Sequence, residues 1–82
     1  MNPELKIRLR DALPKYNKHW AKDLYEKLQE NGITKSKTYM YMVLNADDPR
    51  SDDDIEKIAI EYLEFLVKEH AKNENKILEL TK

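Results

Sequence analysis

The chain has 82 residues, room for one small domain with one core. Hydrophobic residues make up 40% and charged residues 38%, so it can fold while carrying a densely charged surface. Fifteen basic side chains against sixteen acidic ones leave a formal net charge of -1, which over the whole chain argues against a nucleic-acid binder. With no Cys, disulfides, thiolate zinc sites and Cys nucleophiles are excluded, and packing alone, helped by oligomerisation, must hold the fold. No apolar run approaches the roughly 18 residues of a membrane span. The N-terminus has no signal-peptide core, so the expectation is a soluble, cytoplasmic protein with no membrane partner.

One Gly and three Pro punctuate a sequence rich in Leu, Lys, Glu and Ala, which favours helix nearly throughout. The breakers Pro14, Gly32 and Pro49 mark off four segments. The first, Pro3 to Leu13, has Asn2 as its cap and Pro3 in its first turn. Leu5, Leu9 and Leu13 form its apolar stripe, with Ile7 offset to one side, and Pro14 is expected to end it. The second, Lys18 to Asn31, takes Asn17 as its cap. Trp20, Ala21, Leu24, Tyr25 and Leu28 recur along it at three- and four-residue steps, and Asn31-Gly32 is its stop signal.

The third segment, Ser36 to Asn45, is short and uncharged from Thr38 to Leu44. Ser36 is a natural helix cap, but the aromatic and β-branched residues suit a strand equally on local grounds. As a helix, it would turn Met40 and Val43 inward with Leu44 and Tyr39 at the boundary. The fourth segment starts at Ser51, and Asp52, Asp53 and Asp54 complement the positive end of its dipole. Ile55, Ile58, Ala59, Tyr62 and Leu66 form a continuous stripe, widened by Leu63, Phe65 and Val67. Lys72 to Lys76 lacks apolar residues, so the turns carrying Ile77, Leu78 and Leu80 fray or need a partner.

Little in the sequence points to catalysis. His19 and His70 lie on different segments in no recognisable motif, so no nucleophilic triad is indicated. The cluster Asp47, Asp48, Asp52, Asp53 and Asp54 lacks the central Gly of an EF-hand and is interrupted by Pro49-Arg50, so turn formation and capping explain it better than a metal. A single Gly cannot build a phosphate loop. The expectation is a non-enzyme without metal, cofactor or small-molecule substrate.

The outward set of the third segment is Ser36, Lys37, Thr38, Tyr41, Met42 and Asn45. These types suit a DNA major groove: Lys donates to guanine or phosphate, Asn reads adenine, and Thr, Tyr and Met touch thymine methyls. Ser36 to Ala46, read as SKTYMYMVLNA, resembles the recognition-helix segment of helix-turn-helix regulators of the Cro and phage-repressor type. Ser36 matches the cap, Met40 the buried aliphatic and Val43-Leu44-Asn45 the closing trio; Ala46 stands where Gly is usual. Ala21 to Leu28 resembles the first helix of that motif. Gln29 to Lys35 makes the join several residues longer than the family's short turn, and Tyr25 falls near a position where the family has a small residue.

The resemblance implies an all-α bundle of four to five helices of the lambda-repressor-like type, with the motif at about 18–45 and a long C-terminal helix at about 52–80. It implies base contacts from Ser36, Lys37, Thr38, Tyr41, Met42 and Asn45, phosphate contacts near Asn17, Lys18 and Lys35, and double-stranded DNA as the partner, with a nucleoid-associated location. Surplus apolar residues Ile60, Leu63 and Val67 make a second stripe on the fourth segment, the candidate homodimer interface. The rival reading is a helical protein-interaction module, adaptor or antitoxin-like, without DNA contact.

The charge divides along the chain. Residues 1–50 hold ten basic and seven acidic side chains, +3, and residues 51–82 hold five and nine, -4. That split permits a basic DNA face and an acidic back.

Overall fold

A computed structural model describes residues 2–81. They form four helices: α1 (Pro3–Tyr16), α2 (Trp20–Glu30), α3 (Lys37–Leu44) and α4 (Asp53–Leu80). Among the described residues there is no strand, so the all-α expectation and the long C-terminal helix hold. α4 packs against each of the other three helices and is the spine of the core.

The caps follow local chemistry. Asn2 Oδ1 accepts from the Leu5 N–H at 2.9 Å, Ser36 Oγ from the Tyr39 N–H at 3.0 Å, and Asp52 Oδ1 from the Ile55 N–H at 3.2 Å. α2 ends in a Schellman motif. Gly32, at φ 78°, donates to Gln29 O at 3.0 Å and Ile33 donates to Leu28 O at 2.9 Å, while Ile33 packs against the core.

Two boundaries differ from the sequence expectation. α1 runs through Pro14 to Tyr16: the proline forfeits the bond to Arg10 O and crowds that carbonyl, but only a short last turn follows it, closed by the Asn17 N–H on Leu13 O. Asn17 is therefore the C-cap of α1, its N–H donating to Leu13 O at 3.0 Å, and is not the cap of α2. His19 takes the N-cap position of α2 without a side-chain bond, and its N–H donates to Asn17 Oδ1 at 2.9 Å.

Segment three is a helix. Its spacing puts Met40, Val43 and Leu44 on one face, all wholly buried, whereas a strand would have sent Val43 and Leu44 to opposite sides. Leu44, expected at the boundary, is core because α3 lies against α4 on that side; Tyr39 is half-buried as expected.

The stripe of α1 is rotated from the expected one. Lys6, Leu9 and Leu13 are buried at i, i+3 and i+7, while Leu5 is half exposed. On α4, Ile55, Ala59 and Tyr62 are buried, and Ile58, Leu63 and Leu66 lean on the core. Phe65 does not widen the buried stripe; it is half exposed. From Ala71 onward α4 is exposed all round but stays helical to Leu80. The radius of gyration, 14.4 Å, exceeds the roughly 11.7 Å of a compact domain this size because α4 projects beyond the other helices.

Candidate nucleic-acid interface

Since Met40, Val43 and Leu44 anchor α3, its opposite face must meet solvent. Ser36, Lys37, Thr38, Tyr41 and Asn45 are exposed, and Met42 is half-buried. All six sequence-predicted base-facing positions thus lie on or beside one short helix. The 16 residues from Asn31 to Ala46 contain Lys35 and Lys37 and no acid, in a chain with sixteen acids elsewhere.

Several of these side chains already have internal work. Ser36 Oγ is spent on its cap. Asn45 Oδ1 accepts from the Asp47 N–H at 2.9 Å, so the donor that this exposed side chain keeps is Nδ2. The Met42 sulfur is contacted by the Arg50 guanidinium. Tyr41 meets Trp20 edge to face at 5.9 Å.

Arg10, which sequence reasoning missed, completes this corner. Its guanidinium lies 5.2 Å from the Trp20 ring and 5.6 Å from the Tyr41 ring, linking α1, α2 and α3 and adding a cation beside the exposed face. Nothing local in the sequence marks it, because the two rings come from other helices. Lys6 was missed too, though its spacing to Leu9 and Leu13 was a signal. Lys6 is buried, and its Nζ donates to Asp48 O at 3.0 Å and Arg50 O at 2.8 Å, pinning the loop after α3.

The phosphate candidates separate. Lys18 and Lys35 are exposed, and Lys35 Nζ sits 5.3 Å from the Tyr39 ring. Burial raises the Tyr39 phenol, and the Asp52 carboxylate adds to the shift. Asn17 is an internal joint: its Nδ2 donates to Asp23 Oδ2 at 2.6 Å and to the Tyr62 hydroxyl at 3.0 Å. Burial raises the Tyr62 phenol, the Asn17 bond opposes that shift, and Asp23 adds to it.

Of the dimer candidates, Ile60 and Val67 are exposed, while Leu63 packs against its own core. Among the described residues no group of three His, Cys or acidic side chains could hold a metal, and no helix is long and apolar enough to cross a membrane. No protein-family model, curated protein or solved structure was found to match the chain.

Proposed function

We propose that this chain binds double-stranded DNA sequence-specifically, as a small non-catalytic transcriptional regulator with an extended helix-turn-helix of the Cro and phage-repressor type. The observation that carries the reading is the outward face of α3: Lys37, Thr38, Tyr41 and Asn45 exposed together, within a 16-residue span free of acids. In this reading α3 enters the major groove. Lys37 and Asn45 donate to base edges, and Thr38, Tyr41 and Met42 meet thymine methyls. The unpaired N–H groups of the first turn of α3 attract a phosphate. Lys18, Lys35 and Arg10 flank it on the backbone, while Asn17 leaves that set because its amide is committed to Asp23 and Tyr62.

Fluorescence anisotropy with random duplex DNA at low salt tests the class, and selection from a random library then finds the operator. Binding that weakens steeply with salt is expected. No binding at micromolar protein, or binding indifferent to salt, removes the reading. Lys37→Ala and Asn45→Ala should each cost about 1–3 kcal/mol and relax sequence preference, whereas Lys35→Ala should weaken all sequences alike.

The second reading, a protein-interaction module without DNA contact, is favoured by the exposure of Phe65, Ile77, Leu78 and Leu80. It takes over if the titration is flat.

A further inference from the structure

A furrow runs between α4 and α2 with its closing turn. Three hollows of about 390, 140 and 290 Å³ follow one another along it. The first two share Lys27, Tyr62 and Phe65, and the last two share Asn31, Ile58 and Glu61, so they form one continuous depression. Its floor is apolar, with Ile58, Tyr62, Leu66 and the half-exposed Phe65. Its rim is charged. Asp23, Glu26 and Glu30 come from α2 and Asp54 and Glu61 from α4, against Lys27 and Lys57. Five carboxylates against two ammonium groups leave this lining at -3, in a chain of net charge -1. Asp23 is committed to Asn17 and the Tyr62 hydroxyl, whereas Glu26, Glu30, Asp54 and Glu61 are exposed and within a partner's reach. Lys27 shows how the furrow treats a cation. Its Nζ lies 5.3 Å from the Phe65 ring and 5.8 Å from the Tyr62 ring, in a hollow that Asp23, Glu26 and Glu30 also line. A long-stemmed cation thus rests on two aromatic rings among carboxylates, the surroundings that suit Arg and Lys side chains. Asp54 to Phe65 covers about three turns of α4, roughly 17 Å. Lys68 and Lys72, three and seven residues past Phe65 on the same side of the helix, end the acidic stretch.

We propose that the furrow binds a basic amphipathic helix of another protein, about three turns long. Its aliphatic side chains cover Phe65, Tyr62 and Ile58, and its Arg or Lys heads meet Glu26, Glu30, Asp54 and Glu61. Apolar contact supplies the affinity and the rim selects the sign of the partner. A rim of this sign repels phosphate, so the occupant is not the nucleic acid proposed for α3. The contact uses none of the residues proposed for DNA, so it stands whether or not α3 reads a duplex.

Amide chemical-shift mapping of the full chain without DNA tests the furrow, with three synthetic probes: an amphipathic Arg/Leu peptide, its Glu/Leu counterpart and nona-arginine. Saturable shifts are expected at Lys27, Asn31, Glu61, Tyr62 and Phe65 with the Arg/Leu peptide. Nona-arginine, which has nothing for the floor, should bind more weakly, and the Glu/Leu peptide should not bind. Phe65→Ser and Glu26→Lys/Glu30→Lys should each weaken the Arg/Leu peptide about tenfold or more. These side chains are exposed, so circular dichroism should show unchanged helicity. Lys37→Ala/Asn45→Ala, aimed at the DNA face, should bind the peptide as the parent does, which keeps the two readings separable. The proposal is overturned by a lack of saturation up to about 1 mM peptide or by binding of the Glu/Leu peptide. Equal affinity for nona-arginine, or shifts centred on the denser acids from Asp47 to Asp53, overturns it as well.

Discussion

Lys6 occupies a place on α1 where an aliphatic side chain would be ordinary, and it holds that place because its ammonium reaches two carbonyls across the fold. Lys6→Met keeps the stem and removes both donors. It should cost about 2–3 kcal/mol in urea unfolding, since Asp48 O and Arg50 O lose charged partners; an unchanged midpoint would show the contact to be idle. Asn17 acts similarly at the α1–α2 corner. Asn17→Ala should cost about 1–2 kcal/mol, and a double-mutant cycle with Tyr62→Phe should show coupling of about 0.5 kcal/mol or more, because one amide serves both Asp23 and Tyr62. Strict additivity would refute the shared network. Tyr39 and Tyr62 also set an alkaline limit. Their phenols ordinarily ionise near 10.0, and burial raises both in the folded chain. Above pH 10 the unfolded chain loses these protons first, so it binds fewer protons than the native state and stability falls with rising pH. Below pH 10 this contribution is fully present. Chemical denaturation between pH 8 and about 11 should show a loss that Tyr62→Phe reduces.

At the level of elements, the turn between α2 and α3 is the most specified feature. Gly32 ends α2 at φ 78°, and a Cβ placed there would meet nothing within 4 Å. The cost of Gly32→Ala is therefore backbone strain alone, about 1–2 kcal/mol. Thermal melting should fall by roughly 4–8 °C for each kcal/mol, and Gly32→Asn should fall less because Asn tolerates that conformation better. Equal melting of Gly32→Ala and the parent would mean that the Schellman turn does not constrain the join. The same turn sends Ile33 back to the core and leaves residues 34–36 to deliver the Ser36 cap, so an extended join still ends in a well-capped α3.

The whole molecule is a small three-helix cap set on the first half of a long mast. Stability should follow that division. Native-state hydrogen exchange should be slowest at Ile55 to Tyr62, where the core closes. Beyond Ala71, where every residue is exposed, it should be fast in dilute protein. Exchange of equal rate along all of α4 would contradict this reading. Along the chain α3 and its flanks hold the span without acids, while Asp52, Asp53 and Asp54 gather at the start of α4, Asp52 beside the Tyr39 phenol of α3.

The sequence by itself determined the elements. Caps, Gly32, and the three- and four-residue recurrence of apolar side chains are local signals, so helix type, order and most boundaries were legible, as was the solvent-facing set of α3. Its limits appeared where partners come from afar. Pro14 did not stop α1: a short last turn follows it and closes with the Asn17 N–H on Leu13 O. Asn17 was spent on Tyr62, 45 positions away, Arg10 between two rings shows in no local window, and the spacing of Lys6 to Leu9 and Leu13 says nothing of the loop carbonyls it reaches. Only the tertiary structure decided which rotation of each stripe became core and that Leu44 is buried. The reason is physical: capping and periodicity act within a few residues, while burial and charge pairing depend on what the other helices bring alongside.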